Sequence, residues 1–229
     1  EADASLRSAR LQSLREELRR RDALRMREVQ ARIDATLGAD PALAPLRQQL
    51  RMDITPDGLR VQIVDDQGRP MFASGSARVN PLMRELLRRL GQVLQEADGQ
   101  LVVSGHTDAS PYAGGERGYS NWELSADRAN ASRREMVAGG LGEDRVVRVM
   151  GLASSVPFER DPLGPLNRRI SILVLGQVGQ ARWAAGQDTP ISEAEALERL
   201  LDAAVPAPAL PVTPTPNPPP TPPATGEKR

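Results

Sequence analysis

Two short runs hold the residues whose types and spacing could do chemistry: Gly105-His106-Thr107-Asp108, and Asn121-Trp122-Glu123-Leu124-Ser125-Ala126-Asp127-Arg128-Ala129. A carboxylate at Asp108 can take an ammonium group, and a guanidinium at Arg128 can take a carboxylate in two parallel hydrogen bonds. Brought together, the two side chains would clamp a zwitterion. The elements around them can do this. Leu101-Val102-Val103-Ser104 reads as a buried strand, because short β-branched and apolar runs bounded by turn residues favour pleated structure, so Asp108 sits where that strand runs out. Further on, Ser125 fits an N-cap, Asp127 falls in the first turn, and a helical run from Ala126 to Ala138 stops at Gly139-Gly140. Arg128 is then expected beside the free N–H groups of a helix start, where anions are favoured. The plainer alternative is that Asp108 and Arg128 form a salt bridge with each other and only stabilise the fold.

Other chemistries find less support. His106 is the single histidine. It shares a strand face with Asp108, but no His-Glu-x-x-His or cysteine pair completes a metal site, so no metal or other cofactor is expected. Ser104, Ser110 and Ser120 could pair with His106 as a hydrolase, yet no Gly-x-Ser-x-Gly elbow is present. The absence of cysteine removes disulfides and thiol catalysis. The 30 basic and 30 acidic residues cancel, which gives no field that would draw nucleic acid. All but one of the basic residues are arginines, Lys228 being the exception. Tyr119 and Trp122, two of only six aromatics, flank the clamp, and core packing is their default explanation.

The 229 residues and 39% hydrophobic content suffice for one core, with the remainder as extensions. From Leu6 to Leu37, apolar residues recur at Leu11, Leu14, Leu18, Met26, Val29, Ile33 and Leu37 in an arginine-rich amphipathic helix. It is read either as lying on the domain or as a stalk, and the organisation adopted places residues 1–37 outside the core as a stalk. Met52-Asp53-Ile54 and Leu59 to Val64 flank the turn Thr55-Pro56-Asp57-Gly58 as a hairpin. Asp65-Asp66-Gln67-Gly68 closes the second strand. Asn80-Pro81 opens a helix to Ala97 whose apolar face carries Leu82, Leu86, Leu87, Leu90, Val93 and Leu94 and which serves as a crossover into the strand at Leu101. Residues 111–118 form a loop over the clamp. Arg145 to Met150 is an alternating strand, and Ile170 to Leu175, apolar on both faces, is a central one. The globular domain built from these elements is set at residues 38–180. Ser192 and Glu195 suggest a capping box for a peripheral helix within 181–205, and half of the 20 prolines fall in 206–229, a tail expected to be disordered. No apolar run is long enough for a membrane helix, and the chain opens at Glu1, so it is read as the part of a longer protein that lies outside the membrane.

Gly105-His106-Thr107-Asp108, Asn121-x-x-Leu124-Ser125-x-x-Arg128-Ala129 and Asn167-Arg168-Arg169-Ile170 resemble the motifs of OmpA-like peptidoglycan-binding domains. Tyr119 through Asn130 is similar to the flagellar stator branch of that family, and the likeness runs over about residues 10 to 180. The resemblance implies an α/β fold, an α+β sandwich of βαβαβ type with a mixed sheet packed against helices. It implies non-covalent peptidoglycan binding, with Asp108 and Arg128 grasping the diaminopimelate of the stem peptide. By the same transfer Thr107 and Asn121 would hydrogen-bond the ligand or hold the loop, Leu124 would be an apolar wall, and Arg168 a second carboxylate contact. For these four, ordinary packing and capping is the alternative. The resemblance further implies a homodimer assembled with MotA through a membrane segment not present here, a periplasmic location anchored at the inner membrane, and attachment of the motor's stator to the cell wall. Two rivals share some of these residues: another outer-membrane or lipoprotein wall tether, and a wall-cleaving amidase or peptidase using His106 and Asp108.

Overall fold

The computed structural model of the chain describes residues 2–66, 68–112 and 118–183, with 192, 195, 196, 199 and 200. Most of the loop expected over the clamp, residues 113–117, and the proline-rich tail lie outside the described residues. Strands β1 (Leu50–Thr55) and β2 (Gly58–Val64) form the expected antiparallel hairpin. Helix α2 (Pro81–Glu96) carries the chain to β3 (Leu101–His106), and α3 (Asn121–Ala138) leads to β4 (Val146–Gly151). Then β5 (Arg169–Leu175) and a short α4 (Gln177–Arg182) follow.

The five strands form one mixed sheet in the order β1-β2-β5-β3-β4. Only β3 and β4 pair in parallel; β5 runs antiparallel to both β2 and β3 and is buried along its whole length. Apolar residues on both faces make β5 a central strand. Alternate residues divide between two faces: Leu101, Val103, Ile170, Ile172 and Val174 join the main core under the helices, whereas Val102, Leu173 and Leu175 pack with Val147, Met150 and Trp183. This is the α/β fold with a mixed sheet and helices that the sequence predicts.

The N-terminal helix α1 (Ala2–Ala39) corrects one expectation. Met26, Val29, Ile33 and Leu37 are buried in the same core as Leu59, Val61 and Ile63 of β2 and Leu86, Leu87 and Leu90 of α2. The narrow apolar stripe is real, but it faces the domain, so the second half of residues 1–37 belongs to the core and is not a free stalk. Asp22 ties this helix to the C-terminal end of the fold by accepting the Val178 N–H at 3.2 Å. Leu14, in the first half, is 42% exposed.

Helix α2 begins at Pro81 as expected, although the Asn80 side chain donates to the Pro70 carbonyl at 2.6 Å instead of capping. Its apolar face uses Met83 in place of Leu82, which is exposed. Helix α3 begins five residues before the expected start, and its cap is Ser120, not Ser125. The Ser120 hydroxyl accepts the Trp122 N–H at 3.2 Å, while the Glu123 carboxylate accepts the Ser120 N–H at 2.7 Å. This reciprocal capping box satisfies two otherwise orphaned donors and outcompetes a start at Ser125. At the far end, Ser192 and Glu195 exchange the expected hydrogen bonds, and Ala196 is fully buried against Val178 and Leu18.

Candidate ligand cleft

The ends of three strands and one face of α3 meet at a small cleft lined by Asp65, Met71, Phe72, His106, Arg128, Arg168, Arg169 and Ile170. Asp65 follows β2 and Arg168 precedes β5; the antiparallel pairing of Val64 with Arg169 brings them side by side. His106 ends β3 directly opposite Arg169, so Asp108 emerges on the same rim. Gly105 makes this convergence possible. A Cβ there would stand 2.0 Å from the Ser125 carbonyl oxygen, so only glycine lets α3 lie this close to β3.

The clamp residues are brought together, but with different partners from those expected. Asp108 is buried and does not pair with Arg128. Its Oδ2 accepts from Arg168 Nη1 at 2.8 Å and its Oδ1 accepts the Ser110 N–H at 3.0 Å. Arg168 extends its other edge to Asp65, donating Nε–H to Oδ2 at 2.9 Å. Arg168, expected as a contact for the ligand's carboxylate, therefore holds two protein carboxylates. Arg128 lies two turns inside α3, so the free N–H groups of the helix start are not beside it. Its Nε–H donates to the Ser76 carbonyl at 3.0 Å, and its guanidinium lies over the Phe72 ring, 5.0 Å from the centroid. Among the described residues no carboxylate stands within ion-pair distance of it.

Burial pushes the Arg128 guanidinium down from its ordinary value, with Asp65 pulling the other way and Arg168 adding to the depression. Arg168 is moved upward: burial opposes its charge, but the hydrogen bonds to Asp108 and Asp65 outweigh it. Two carboxylates and three guanidiniums thus meet at the cleft. Arg168 is held by both acids, Arg169 donates to the Asn167 and Val156 carbonyls, and the terminal nitrogens of Arg128 have no carboxylate partner among the described residues. This is the charge pattern a zwitterion fits, its ammonium competing for Asp108 and its carboxylate for Arg128.

Thr107 is buried; its N–H donates to Ala153 at 2.9 Å and its hydroxyl oxygen has no hydrogen-bond partner. Asn121 donates Nδ2–H to the Ser110 carbonyl at 2.8 Å, which ties α3 to the segment after Asp108. Leu124 is buried on α3. Trp122 is not core: it is 54% exposed. Tyr119 donates its hydroxyl to Asp127 at 2.8 Å and stacks at a tilt on Tyr112. His106 is buried with Nδ1 unpartnered, and burial, helped by Arg169 and Arg60, pushes it down to about 3. Among the described residues no serine or carboxylate hydrogen-bonds it. Among the described residues no three metal-binding side chains gather, and no helix is long and apolar enough to cross a membrane.

Asp65, Phe72, Ser76 and Arg169 are site residues that reading the sequence did not identify. Asp65 looked like part of a turn, and only its position at the end of β2 hinted at more. Its partner lies 103 positions away along the chain, a distance no local pattern spans.

The OmpA family matches residues 71–170. Motility protein B of Escherichia coli (strain K12) is 47% identical over 197 residues, which cover 83% of this chain and 64% of that protein. The truncated LafU of the same strain, named for flagellar export/assembly, is 38% identical over 159 residues, covering 69% of this chain and 72% of LafU. Among solved structures, a MotB-like protein from Desulfovibrio vulgaris superposes with a TM-score of 0.58 at 18% identity, over 71% of this chain and 99% of that one, which speaks to the fold alone.

Proposed function

From a chain that belongs to the OmpA family and is a homologue of motility protein B over most of its length, we propose a non-covalent peptidoglycan-binding domain that anchors a flagellar stator to the cell wall. The chain spans 64% of motility protein B, so the partners of the whole protein are part of the proposal: a homodimer, assembly with MotA, and attachment to the inner membrane from the periplasmic side. One observation carries the reading. A cleft at the strand ends brings together two acids, Asp65 and Asp108, and three arginines, and of these Arg128 pairs with no carboxylate among the described residues.

The ligand we propose is the diaminopimelate of the stem peptide, whose side chain ends in an ammonium and a carboxylate on one carbon. Asp108 takes the ammonium and Arg128 the carboxylate; Asn121 holds the segment after Asp108 in place, Leu124 walls the approach, and the Thr107 hydroxyl and Arg168 add contacts. Two or three charge-assisted hydrogen bonds of about 1.5 to 3 kcal/mol each, against an association cost of about 4 kcal/mol or more, make one site weak, about a few hundred micromolar at best. Wall cleavage is disfavoured because His106, the base it would need, is buried, is made a weak base by that burial, and has no nucleophile in hydrogen-bond contact among the described residues.

Co-sedimentation with diaminopimelate-containing peptidoglycan tests the reading. The wild-type chain pellets with the wall and releases no soluble fragments. Asp108→Asn removes the charge that meets the ammonium, and Arg128→Lys removes the planar fork that takes a carboxylate in two bonds. Each weakens binding about tenfold or more, the equivalent of one charge-assisted hydrogen bond. Melts on the same proteins separate binding from folding. A wild-type chain that stays in the supernatant, or variants that pellet as well as wild type, would refute the assignment.

A further inference from the structure

Asp65 lines the cleft and joins two of its sides, Arg168 and the segment at Met71. Its Oδ2 accepts Arg168 Nε–H at 2.9 Å and its Oδ1 accepts the Met71 N–H at 2.9 Å. Its own N–H donates to the Arg168 carbonyl at 2.9 Å, so backbone and side chain both bind the same partner. The Met71 bond fixes the segment that carries Phe72, and the Phe72 ring is the platform on which the Arg128 guanidinium rests. The side chain is mostly buried, at 16% exposure. One carboxylate therefore orients both arginines, Arg168 directly and Arg128 through the Met71-Phe72 segment.

We propose that Asp65 is a positioning residue of the ligand clamp, the fixed anchor on which Arg168 exchanges Asp108 for the ligand's carboxylate. The inference rests on the wall-binding reading above. The Arg168 fork is divided: Nε–H is on Asp65 and Nη1 is on Asp108. A ligand ammonium arriving at Asp108 competes for the same oxygen, Oδ2, and releases Nη1. Arg168 does not swing away, because Asp65 still holds Nε–H. The freed edge of the guanidinium then stays in the cleft, next to Arg128, where the ligand's carboxylate must lie. The exchange adds an ion pair: one protein–protein pair is lost, and the ligand's two charges each gain a partner. Without Asp65, Arg168 keeps only Asp108, and the two form a closed pair that a ligand must break with nothing to hold the arginine in place.

Asp65→Asn isolates this role. The amide oxygen can still accept the Met71 N–H, while the amide nitrogen, a donor, cannot accept from Arg168. Full-length chain is titrated against soluble diaminopimelate-containing muropeptide, and denaturant melts are run on the same samples. The expected result is binding weakened about tenfold, the worth of one charge-assisted hydrogen bond, in protein that remains folded at the assay temperature. A double-mutant cycle supplies the readout that a merely structural role would not move. Arg168→Gln weakens binding about tenfold in the wild-type background and by much less in the Asp65→Asn background, because the two residues act as one unit. Wild-type binding with an unaltered affinity for Asp65→Asn, or with fully additive losses in the cycle, overturns the inference and leaves the wall-binding reading standing. Failure of the wild-type chain itself to bind overturns both.

Discussion

At the scale of single residues, charge and burial in the cleft decide what each group can do. Asp108 and Arg168 pair as acid and guanidinium, and Arg128 pairs with no carboxylate among the described residues. His106 has a different fate. Burial, with Arg169 and Arg60 nearby, holds it at about 3 in the folded chain, against 6.5 when free. Its folded value lies below its unfolded one, so between these limits the unfolded state binds the extra proton. Stability is complete above pH 6.5 and falls as the pH drops toward 3, by about 1.4 kcal/mol per pH unit from this group. Denaturant melts of wild type and His106→Gln between pH 7 and pH 4 check this: the wild type should lose stability more steeply. Parallel profiles would mean that His106 is accessible to protons in the native state.

Elements set the distances between these groups, and close packing of α3 is the device. Gly105 lets the helix carrying Arg128 approach the strand leading to Asp108, and Gly91 lets α2 lie on α3, where a Cβ would stand 2.2 Å from the Met136 carbonyl oxygen. Both contacts are with backbone, so alanine forces the elements apart at a cost of about 1 to 3 kcal/mol. Gly105→Ala should also weaken wall binding, since it displaces α3 at the cleft, whereas Gly91→Ala should destabilise the fold and leave the affinity of the folded protein nearly unchanged. Equal binding by both variants would contradict this division. Helix α1 offers a second comparison. Ile33 is fully buried, so Ile33→Ala should cost about 2 to 5 kcal/mol. Leu14→Ala, at an exposed position, should shift stability by about 0.5 kcal/mol or less in a denaturant melt. A small effect at Ile33 would return α1 to the role of a stalk.

For the whole molecule, the absence of net charge leaves no long-range field to hold a charged polymer, so under the proposed function affinity comes from the cleft and from how many clefts engage at once. One clamp of about a few hundred micromolar at best is a weak anchor. Two clamps joined in one particle convert the second binding event into an intramolecular one and raise avidity by about 10² to 10⁴. A chain dimerised through a coiled coil fused before Glu1 should therefore remain with pelleted peptidoglycan at dilutions that release the monomer. Identical retention of monomer and dimer would show that the two clefts cannot reach the wall together.

The sequence by itself determined most of the elements and pointed to residues, Asp108, Arg128 and Arg168 among them, that the structure brings to one end of the sheet. The alternation of β2, the doubly apolar run of β5, the Asn80-Pro81 start of α2 and the glycines ending α3 are local patterns, and local sterics and periodicity suffice to read them. Capping chemistry was also legible, although the Ser120–Glu123 box, not Ser125, begins α3. Only the tertiary structure decided which charges meet. Asp108 joins Arg168 across 60 positions, Asp65 joins Arg168 across 103, and α1 turns its stripe inward onto β2 and α2. An amphipathic stripe records that a helix buries one face, not what it buries that face against. An ion pair likewise depends on where strand register places two chain segments, which the residue types at either end do not encode.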